Sequence, residues 1–306
     1  MAKVSVIGAG RVGSTLAQLL AYRGLCDVVL WNRTADTAKG IALDIMESAP
    51  VEGFDSEVSG TGEYKDIEGS DVVVITAGAQ RKEGMSRDDL LNTNAAIVKS
   101  AAEATKQYAP NSIIIVLTNP LDPMAYVAMK ASGFPKQRVV GQAGILDSAR
   151  FRSFISQYLK VSVKSVGALV LGSHGDLMVP SIRHTRVGEE SVDDIIPAND
   201  LDALVKRTRD GGAEIIKLEK SSAFYAPASA LSQMVASVIL DKKEILPCSA
   251  YLEGEYGIDG VFIGVPLILG KKGVEKILEF KISGPELDAL RLSAEKTREL
   301  IKSLVV

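Results

Sequence analysis

The chain has 306 residues, of which 46% are hydrophobic and 24% are charged, and its formal net charge is -3. Such a composition is typical of a globular protein with room for two domains. The charge balance disfavours nucleic-acid binding, because no excess of basic residues is available to neutralise phosphates. No apolar run reaches the roughly 18 to 20 residues that cross a bilayer, and the N-terminus carries no cleavable signal pattern. We therefore expect a cytoplasmic protein without membrane association.

The two cysteines, Cys26 and Cys248, are far apart in sequence, and neither belongs to a Cys-x-x-Cys or Cys/His cluster. This pattern argues against a disulfide framework and against a zinc site. We predict that both cysteines are buried as small hydrophobic residues, and we expect no metal.

The first half of the chain alternates β-branched runs with segments of helical periodicity. The predicted strands are Val4–Ile7, Val28–Trp31, Val72–Thr76 and Ile113–Leu117. Ser86 and Asp89 are spaced as a capping pair that begins a helix between the third and fourth strands. The alternation predicts an α/β fold with a Rossmann-type doubly wound parallel sheet, whose ligand site lies at the carboxyl ends of the strands.

The pattern changes after about residue 141, where helical segments are longer and strand candidates are shorter. The candidates are Val166–Leu171 and Val261–Leu269, and the chain closes with an amphipathic helix that carries Leu287, Leu290, Ala294, Ile301 and Leu304. We predict a dinucleotide-binding domain over residues 1–141 and an α+β substrate and catalytic domain over residues 142–306. No linker rich in Pro, Gly or Ser separates them, so the two should pack closely.

A glycine-rich turn follows the first predicted strand and opens a helical segment. It consists of Gly8, Ala9, Gly10, Arg11, Val12 and Gly13 and fits G-x-G-x-x-G. In this context Gly8 permits a tight turn, Gly10 lets a pyrophosphate approach the backbone, and Gly13 lets helix and strand pack closely. The alternative is a purely structural turn. We predict that these six residues bind a dinucleotide.

NAD-binding turns place an acidic residue after the second strand, but this chain has Asn32, Arg33 and Thr34 there. A carboxylate would repel a 2'-phosphate, whereas the guanidinium of Arg33 offers forked donors to one. The string NRT resembles the corresponding turn of NADP-dependent shikimate dehydrogenases, and Lys39 can add charge. Alternatively, Asn32 binds the ribose of NAD and Arg33 is solvated. We expect NAD or NADP, with NADP preferred or both used.

Four further segments recur in one family. They are Thr76–Asn94, Leu117–Asp122, Gly144–Arg152 and Gly172–Pro180. With the glycine turn, they make the chain resemble the lactate/malate dehydrogenase superfamily over essentially its whole length, and specifically the lactate-dehydrogenase-like malate dehydrogenases. The resemblance implies reversible hydride transfer between (S)-malate or oxaloacetate and a nicotinamide dinucleotide, and a homo-oligomer, either a tetramer or a dimer.

The resemblance assigns proton exchange with the substrate hydroxyl to His174, whose near-neutral pKa suits both directions. It assigns orientation and charge stabilisation of this imidazole to Asp147, and the C1 carboxylate of the substrate to Arg150. Asp147 and Arg150 are three residues apart, and from this spacing alone they would be interpreted as a surface ion pair. We assign His184 to a structural role.

The segment from Gln80 to Asp88 reads by itself as a solvated basic loop. The resemblance gives Arg87 the polarisation of the reacting oxygen and gives Arg81 the second carboxylate of malate or oxaloacetate, where a lactate dehydrogenase has Gln. It also implies that Asn119 binds the substrate, although a turn asparagine is the alternative. The remaining cofactor contacts that it implies are Asn94, Leu117, Thr118 and Asn119.

Two rival functions remain open. Another 2-hydroxy-acid dehydrogenase, such as a lactate enzyme, is disfavoured by Arg81. A non-catalytic dinucleotide sensor is disfavoured because a protein that only binds a dinucleotide needs none of the intact set of His174, Asp147, Arg150, Arg87 and Asn119.

Overall fold

The computed structural model describes residues 1–79 and 86–305, and within these ranges the chain forms twelve strands and nine α-helices. The strands are β1 (Lys3–Ile7), β2 (Asp27–Trp31), β3 (Val58–Thr61), β4 (Val72–Ile75), β5 (Ile113–Val116), β6 (Val139–Gly141), β7 (Val166–Leu171), β8 (Val179–Val187), β9 (Glu190–Ser191), β10 (Glu244–Glu253), β11 (Asp259–Gly270) and β12 (Gly273–Ile277). The helices are α1 (Arg11–Tyr22), α2 (Ala35–Glu52), α3 (Arg87–Tyr108), α4 (Leu121–Ser132), α5 (Gly144–Leu159), α6 (Val192–Ile195), α7 (Ala198–Glu219), α8 (Tyr225–Ile239) and α9 (Gly284–Lys302).

The first six strands form a parallel sheet in the order β3-β2-β1-β4-β5-β6. Its central strands are apolar on both faces, and all four residues of β4 and of β5 are buried between helical layers. This burial explains why the strands appear in the sequence as continuous β-branched runs. The predicted Rossmann-type α/β fold is confirmed, and the four predicted strands end within one residue of the observed ones.

Three antiparallel strands from the second half extend the same sheet beyond β6 in the order β10-β11-β12. The junction is a single pair in which Ser249 of β10 faces Gly141 of β6. Strands β7, β8 and β9 form a separate antiparallel sheet. One sheet therefore runs through both halves of the chain, and the division at residue 141 stays a prediction.

The predicted helix starts and buried cysteines agree with the structure. Ser86 Oγ accepts from the Asp89 amide at 3.0 Å, and Asp89 Oδ2 accepts from the Ser86 amide at 3.2 Å, which caps α3. Cys26 and Cys248 are both free and buried. The closing helix is α9, which ends two residues before Leu304. In the described ranges, none of the helices combines the length and apolar character needed to cross a membrane.

Candidate active site

A cleft of about 760 Å³ lies at the carboxyl ends of β1, β4 and β5, where the fold predicts a ligand site. Its floor consists of the glycine turn after β1, residues 76–79 after β4 and residues 117–119 after β5. Its walls come from α5, from the loop after β7, and from α7 with the segment that joins it to α8. The cleft therefore brings together residues from both halves of the sequence.

The three glycines of the turn differ in the space around them. Gly8 has a φ of +118°, and a Cβ there would lie 2.6 Å from the Ala77 amide nitrogen. A Cβ on Gly13 would lie 1.9 Å from the Gly8 carbonyl oxygen, so helix α1 packs directly on the turn. A Cβ on Gly10 would meet nothing within 4 Å. The turn thus leaves open space beside Gly10 at the N-terminus of α1, which fits the pyrophosphate of a dinucleotide.

The turn after β2 lies beside the glycine turn, because the Gly8 amide donates to the Trp31 carbonyl at 2.9 Å. Asn32 Nδ2 donates to the Thr34 carbonyl at 3.2 Å, so this amide holds the turn itself. Arg33 is exposed and forms no ion pair with any described residue. Its guanidinium is therefore available to a ligand at this corner.

His174, Asp147 and Arg150 meet at one side of the cleft. His174 Nδ1 lies 2.9 Å from Asp147 Oδ2, and Arg150 Nη1 lies 3.3 Å from Asp147 Oδ1. The side chain of Asp147 is 1% exposed, against 17% for His174 and 12% for Arg150. Helix α5 carries Asp147 and Arg150 on one face because they are three residues apart. With Nδ1 bound to Asp147, His174 has Nε2 left for a substrate.

The net pKa of His174 lies above the ordinary value for histidine. Burial lowers this pKa, and Arg150 lowers it further. The charge of Asp147 and its hydrogen bond raise it, as does the charge of Asp122, and together these exceed the lowering. The surroundings of the imidazole therefore favour its protonated form, as a group that accepts a proton from a substrate requires.

The loop that carries His174 is fixed from two elements. Gly172 and Gly264 of β11 exchange backbone hydrogen bonds of 2.9 and 3.2 Å. Ser293 Oγ of α9 accepts from the Ser173 amide at 2.9 Å and also lies 2.9 Å from Ser173 Oγ. The catalytic candidate therefore sits on a loop whose backbone is held immediately before it.

The polar residues after β4 and β5 are tied to one another. Asn94 is 2% exposed, its Nδ2 donates to the Asn119 carbonyl at 2.7 Å, and its Oδ1 accepts from the Ala79 amide at 2.7 Å. Thr118 Oγ1 donates to the Ala77 carbonyl at 2.7 Å. Leu117, Thr118 and Asn119 all line the cleft, and Asn119 is exposed to it. Asn94 also lines the cleft, but both ends of its amide hold the floor together.

The side chain of Arg11 crosses from the glycine turn to the segment between α7 and α8. Its Nη1 lies 3.2 Å from Glu219 Oε1 and donates to Ser221 Oγ at 2.6 Å. Its guanidinium also lies 5.2 Å from the centre of the Phe224 ring. These contacts close one end of the cleft over the turn.

Two predicted substrate residues cannot be placed. Arg81 lies outside the described residues. Arg87 is the first residue of α3, but its side chain lies outside the described part of the chain. The roles given to both rest on the sequence alone.

Sequence reasoning missed four charged residues in or beneath the cleft. Arg209 and Asp210 of α7 line it, and Nε of Arg209 lies 3.4 Å from the Met178 carbonyl. Asp176 lines it from the loop after His174. Asp122, in the first turn of α4, is buried below that loop. Arg209 lies in a charged helical segment that is expected to be solvated. Asp122 lies in the first turn of a helix, where an acidic residue is expected to interact with the helix dipole. The sequence therefore gave no reason to single out either residue.

Comparison with known proteins identifies the family. The family model described as the lactate/malate dehydrogenase NAD binding domain matches residues 2–141, and the one described as the lactate/malate dehydrogenase alpha/beta C-terminal domain matches residues 145–305. A protein of Bacillus israeli named malate dehydrogenase is 51% identical over 99% of this chain and 98% of its own. A malate dehydrogenase of Bacillus subtilis is 50% identical over the same shares.

Solved structures agree with this result. The malate dehydrogenase of Salinibacter ruber matches with a TM-score of 0.95 and 46% identity, over 98% of this chain and 97% of that one. The lactate dehydrogenase of Cryptosporidium parvum, solved with lactic acid and NAD, matches with a TM-score of 0.95 and 40% identity, over 98% of this chain and 97% of that one. The chain therefore belongs to the lactate/malate dehydrogenase family.

Proposed function

We propose that the protein is an NAD(P)-dependent malate dehydrogenase that interconverts (S)-malate and oxaloacetate. The observation that carries the proposal is the 2.9 Å contact between His174 Nδ1 and Asp147 Oδ2, with Arg150 beside it, in the same cleft as the glycine turn. Relatives named malate dehydrogenase, at about half identity over nearly the whole chain, support the substrate. From the family resemblance we also expect a homo-oligomer, either a tetramer or a dimer.

The glycine turn would hold the pyrophosphate of the dinucleotide, and residues 117–119 would lie near its nicotinamide ribose. When bound, the nicotinamide ring supplies a hydride acceptor for malate oxidation or a hydride donor for oxaloacetate reduction. The open position beside Gly10 is the observation that fits this group.

His174 acts as the general base in malate oxidation and as the general acid in the reverse direction. Its Nε2 takes the proton of the C2 hydroxyl, while Asp147 holds Nδ1 and stabilises the imidazolium that forms. Because Asp147 is almost fully buried and already accepts from Arg150, it stays in place during proton transfer. The pair thus fixes both the tautomer and the orientation of the imidazole.

Arg150 binds the C1 carboxylate of the substrate. Its Nη1 contacts Asp147, so Nε and Nη2 remain for a forked pair with a carboxylate. Asn119 would donate its amide to the substrate from the floor of the cleft. Arg87 would stabilise charge on the reacting oxygen, and Arg81 would pair with the second carboxylate.

Lactate dehydrogenase is the second candidate, because the lactate enzyme of Cryptosporidium parvum matches as well in fold. The proposal depends on Arg81, a cation that suits a dicarboxylate and not a methyl group. We expect purified protein to prefer oxaloacetate over pyruvate by about 10²- to 10⁴-fold in kcat/KM. In Arg81→Gln most of this preference should disappear. A wild-type preference for pyruvate, or an unchanged preference in the variant, would contradict the assignment.

The cofactor is tested by oxaloacetate reduction with NADH and with NADPH. We infer that Asn32, Arg33 and Thr34 accept a 2'-phosphate, so kcat/KM with NADPH should equal or exceed that with NADH. Arg33→Ala should then lower kcat/KM with NADPH by about tenfold, the size expected for a charged hydrogen bond, and leave NADH almost unchanged. A clear wild-type advantage for NADH with no effect of Arg33→Ala would show that Arg33 faces solvent.

A further inference from the structure

A second buried carboxyl lies under the loop that carries His174. Asp122, in the first turn of α4, is 2% exposed. None of the ion pairs within residues 1–79 and 86–305 includes it. A buried carboxylate without a cationic partner is costly, so its presence calls for a compensating role.

The contacts of Asp122 lead to the histidine loop. Ser249 Oγ of β10 donates to Asp122 Oδ1 at 2.6 Å. Ser249 is paired with Gly264 of β11, and Gly264 is bridged to Gly172, two residues before His174. The backbone amide and the charge of His174 both lower the pKa of Asp122, so the carboxyl acts close to the histidine. Asp122 therefore supports the histidine loop through Ser249 and the strand pairing that leads to Gly172.

A neutral group would be enough to hold the loop, as the hydroxyl of Ser293 shows on the other side. A carboxyl adds charge. The charged groups around His174 are Asp147 and Arg150 on α5 and Asp122 on α4, with Asp176 of its own loop and Arg209 and Asp210 of α7 lining the same cleft. The charge of Asp122 thus acts on the imidazole from α4, an element that the catalytic pair does not use.

We propose that Asp122 is a positioning residue for His174: it fixes the backbone of the loop, and its negative charge stabilises the imidazolium together with Asp147. The proposal rests on the proposed function, in which His174 exchanges the substrate proton. Asp122 does not line the cleft, so it acts only through His174.

The ionisation of Asp122 is compatible with this role. Burial raises the pKa of Asp122 to about 6, although the Ser249 hydrogen bond and the charge of His174 lower it. The pKa of His174 lies above its ordinary value of 6.5, and Asp122 is one of the groups that raise it. Asp122 and His174 thus each favour the charged form of the other.

The first test is the pH profile of Asp122→Asn. Asparagine has the same shape as aspartate and its amide can still donate to Ser249, so shape is kept and charge is lost. Without that charge the imidazolium is less favoured. The acidic limb of kcat/KM for malate oxidation and the alkaline limb for oxaloacetate reduction should both move to lower pH. At pH 8, the kcat/KM for reduction, expressed as a fraction of its own plateau, should be about threefold to tenfold lower in the variant than in the wild type. A shift of one pKa unit corresponds to a factor of ten.

A direct titration of His174 gives a readout that does not need turnover. The chain has only two histidines, so ¹³C-histidine labelling yields two resolvable NMR signals. The midpoint of His174 should fall in Asp122→Asn. His184, which contacts Ser181 and packs on Phe280, should titrate as in the wild type. If the wild type does not oxidise malate, the proposed function fails, while the titration still decides the role of Asp122.

Two further variants separate charge from support. Ser293→Ala removes a neutral anchor of the same loop, so it should lower the plateau rates without moving either limb. Ser249→Ala removes a bond that favours ionised Asp122, so it should move the His174 midpoint in the same direction as Asp122→Asn, but by less. An unchanged midpoint in both Asp122→Asn and Ser249→Ala would overturn the proposal. An equal shift in Ser293→Ala would overturn it too, because loosening alone would then explain the effect.

Discussion

At the scale of single residues, the imidazole of His174 is placed between opposing influences. Burial and Arg150 disfavour its charged form, while Asp147 and Asp122 favour it, and the net effect is a raised pKa. A group in such balance can take up a proton in one direction of a reaction and return it in the other. The balance depends on Asp147 remaining a carboxylate, because an amide would hold the ring without favouring its charge.

We therefore predict that Asp147→Asn lowers kcat/KM for malate oxidation by about 10²- to 10⁴-fold, as expected when the carboxylate of such a pair is lost. The pKa of His174 should also fall, because its strongest favourable partner is gone. NADH affinity, measured by fluorescence titration, should stay within about twofold, because the glycine turn is not changed. Retention of more than a tenth of the wild-type kcat/KM would show that Asp147 is not coupled to the chemistry.

Short motifs allowed His174, Asp147 and Arg150 to be predicted from the sequence, and the structure places them in contact. Their roles stay predictions. Asp122 could not be recognised in the same way, because its position depends on Ser249, which lies on a strand far along the chain. A residue defined by a long-range contact leaves no local signature.

At the scale of elements, the turn between β1 and α1 uses one glycine for packing and another for binding. Gly13 is where helix and turn touch, whereas Gly10 borders open space. These glycines look alike in the motif, but their surroundings differ. A methyl group on Gly13 must displace backbone, and one on Gly10 projects into the position that a pyrophosphate would occupy.

We predict that Gly13→Ala lowers the free energy of unfolding by about 1 to 3 kcal/mol, because the clash with the Gly8 carbonyl shifts α1. Gly10→Ala should leave the melting temperature almost unchanged and weaken NADH binding at least tenfold. Gly40→Ala is the control: Gly40 lies inside α2 with nothing near its Cβ position, so the variant should be neutral or more stable by up to about 1 kcal/mol. Equal melting temperatures for Gly13→Ala and Gly10→Ala would contradict this division.

The sequence predicted the elements with continuous apolar runs and missed the short or alternating ones. Strands β3 and β6 have only four and three residues, too few to show a pattern. Strand β10 interrupts its apolar residues with Pro247 and Ser249, so it lacked the run by which β4 and β5 were recognised. The capping pair at Ser86 was predictable because capping depends on residues only three positions apart.

At the scale of the whole molecule, the buried charge of Asp122 affects stability. Its pKa is raised from 3.8 to about 6 in the folded protein, so the folded state holds this proton more tightly than the unfolded state does. The wild type therefore loses stability as the pH rises from about 4 through 6, with a total cost of about 2 to 3 kcal/mol above pH 7. Asp122→Asn does not carry this cost.

We predict that Asp122→Asn gains stability relative to the wild type as the pH rises. The difference in unfolding free energy, measured by urea denaturation at pH 4.5 and at pH 7.5, should shift in favour of the variant by about 1 to 3 kcal/mol. Ser293→Ala should show a difference that does not change with pH. If the Asp122→Asn difference is the same at both pH values, the carboxyl is not buried in its charged form.

The sheet that crosses both halves also affects how the protein can be made. Strand β6 pairs with β5 on one side, and the partner on its other side, β10, begins only at Glu244. While the polypeptide is being synthesised, the parallel sheet can assemble early, but one edge keeps unpaired N–H and C=O groups until β10 has left the ribosome. Such an edge can pair with other chains. We therefore expect translation that stops between β6 and β10 to yield an aggregation-prone nascent chain and not a free-standing dinucleotide-binding module.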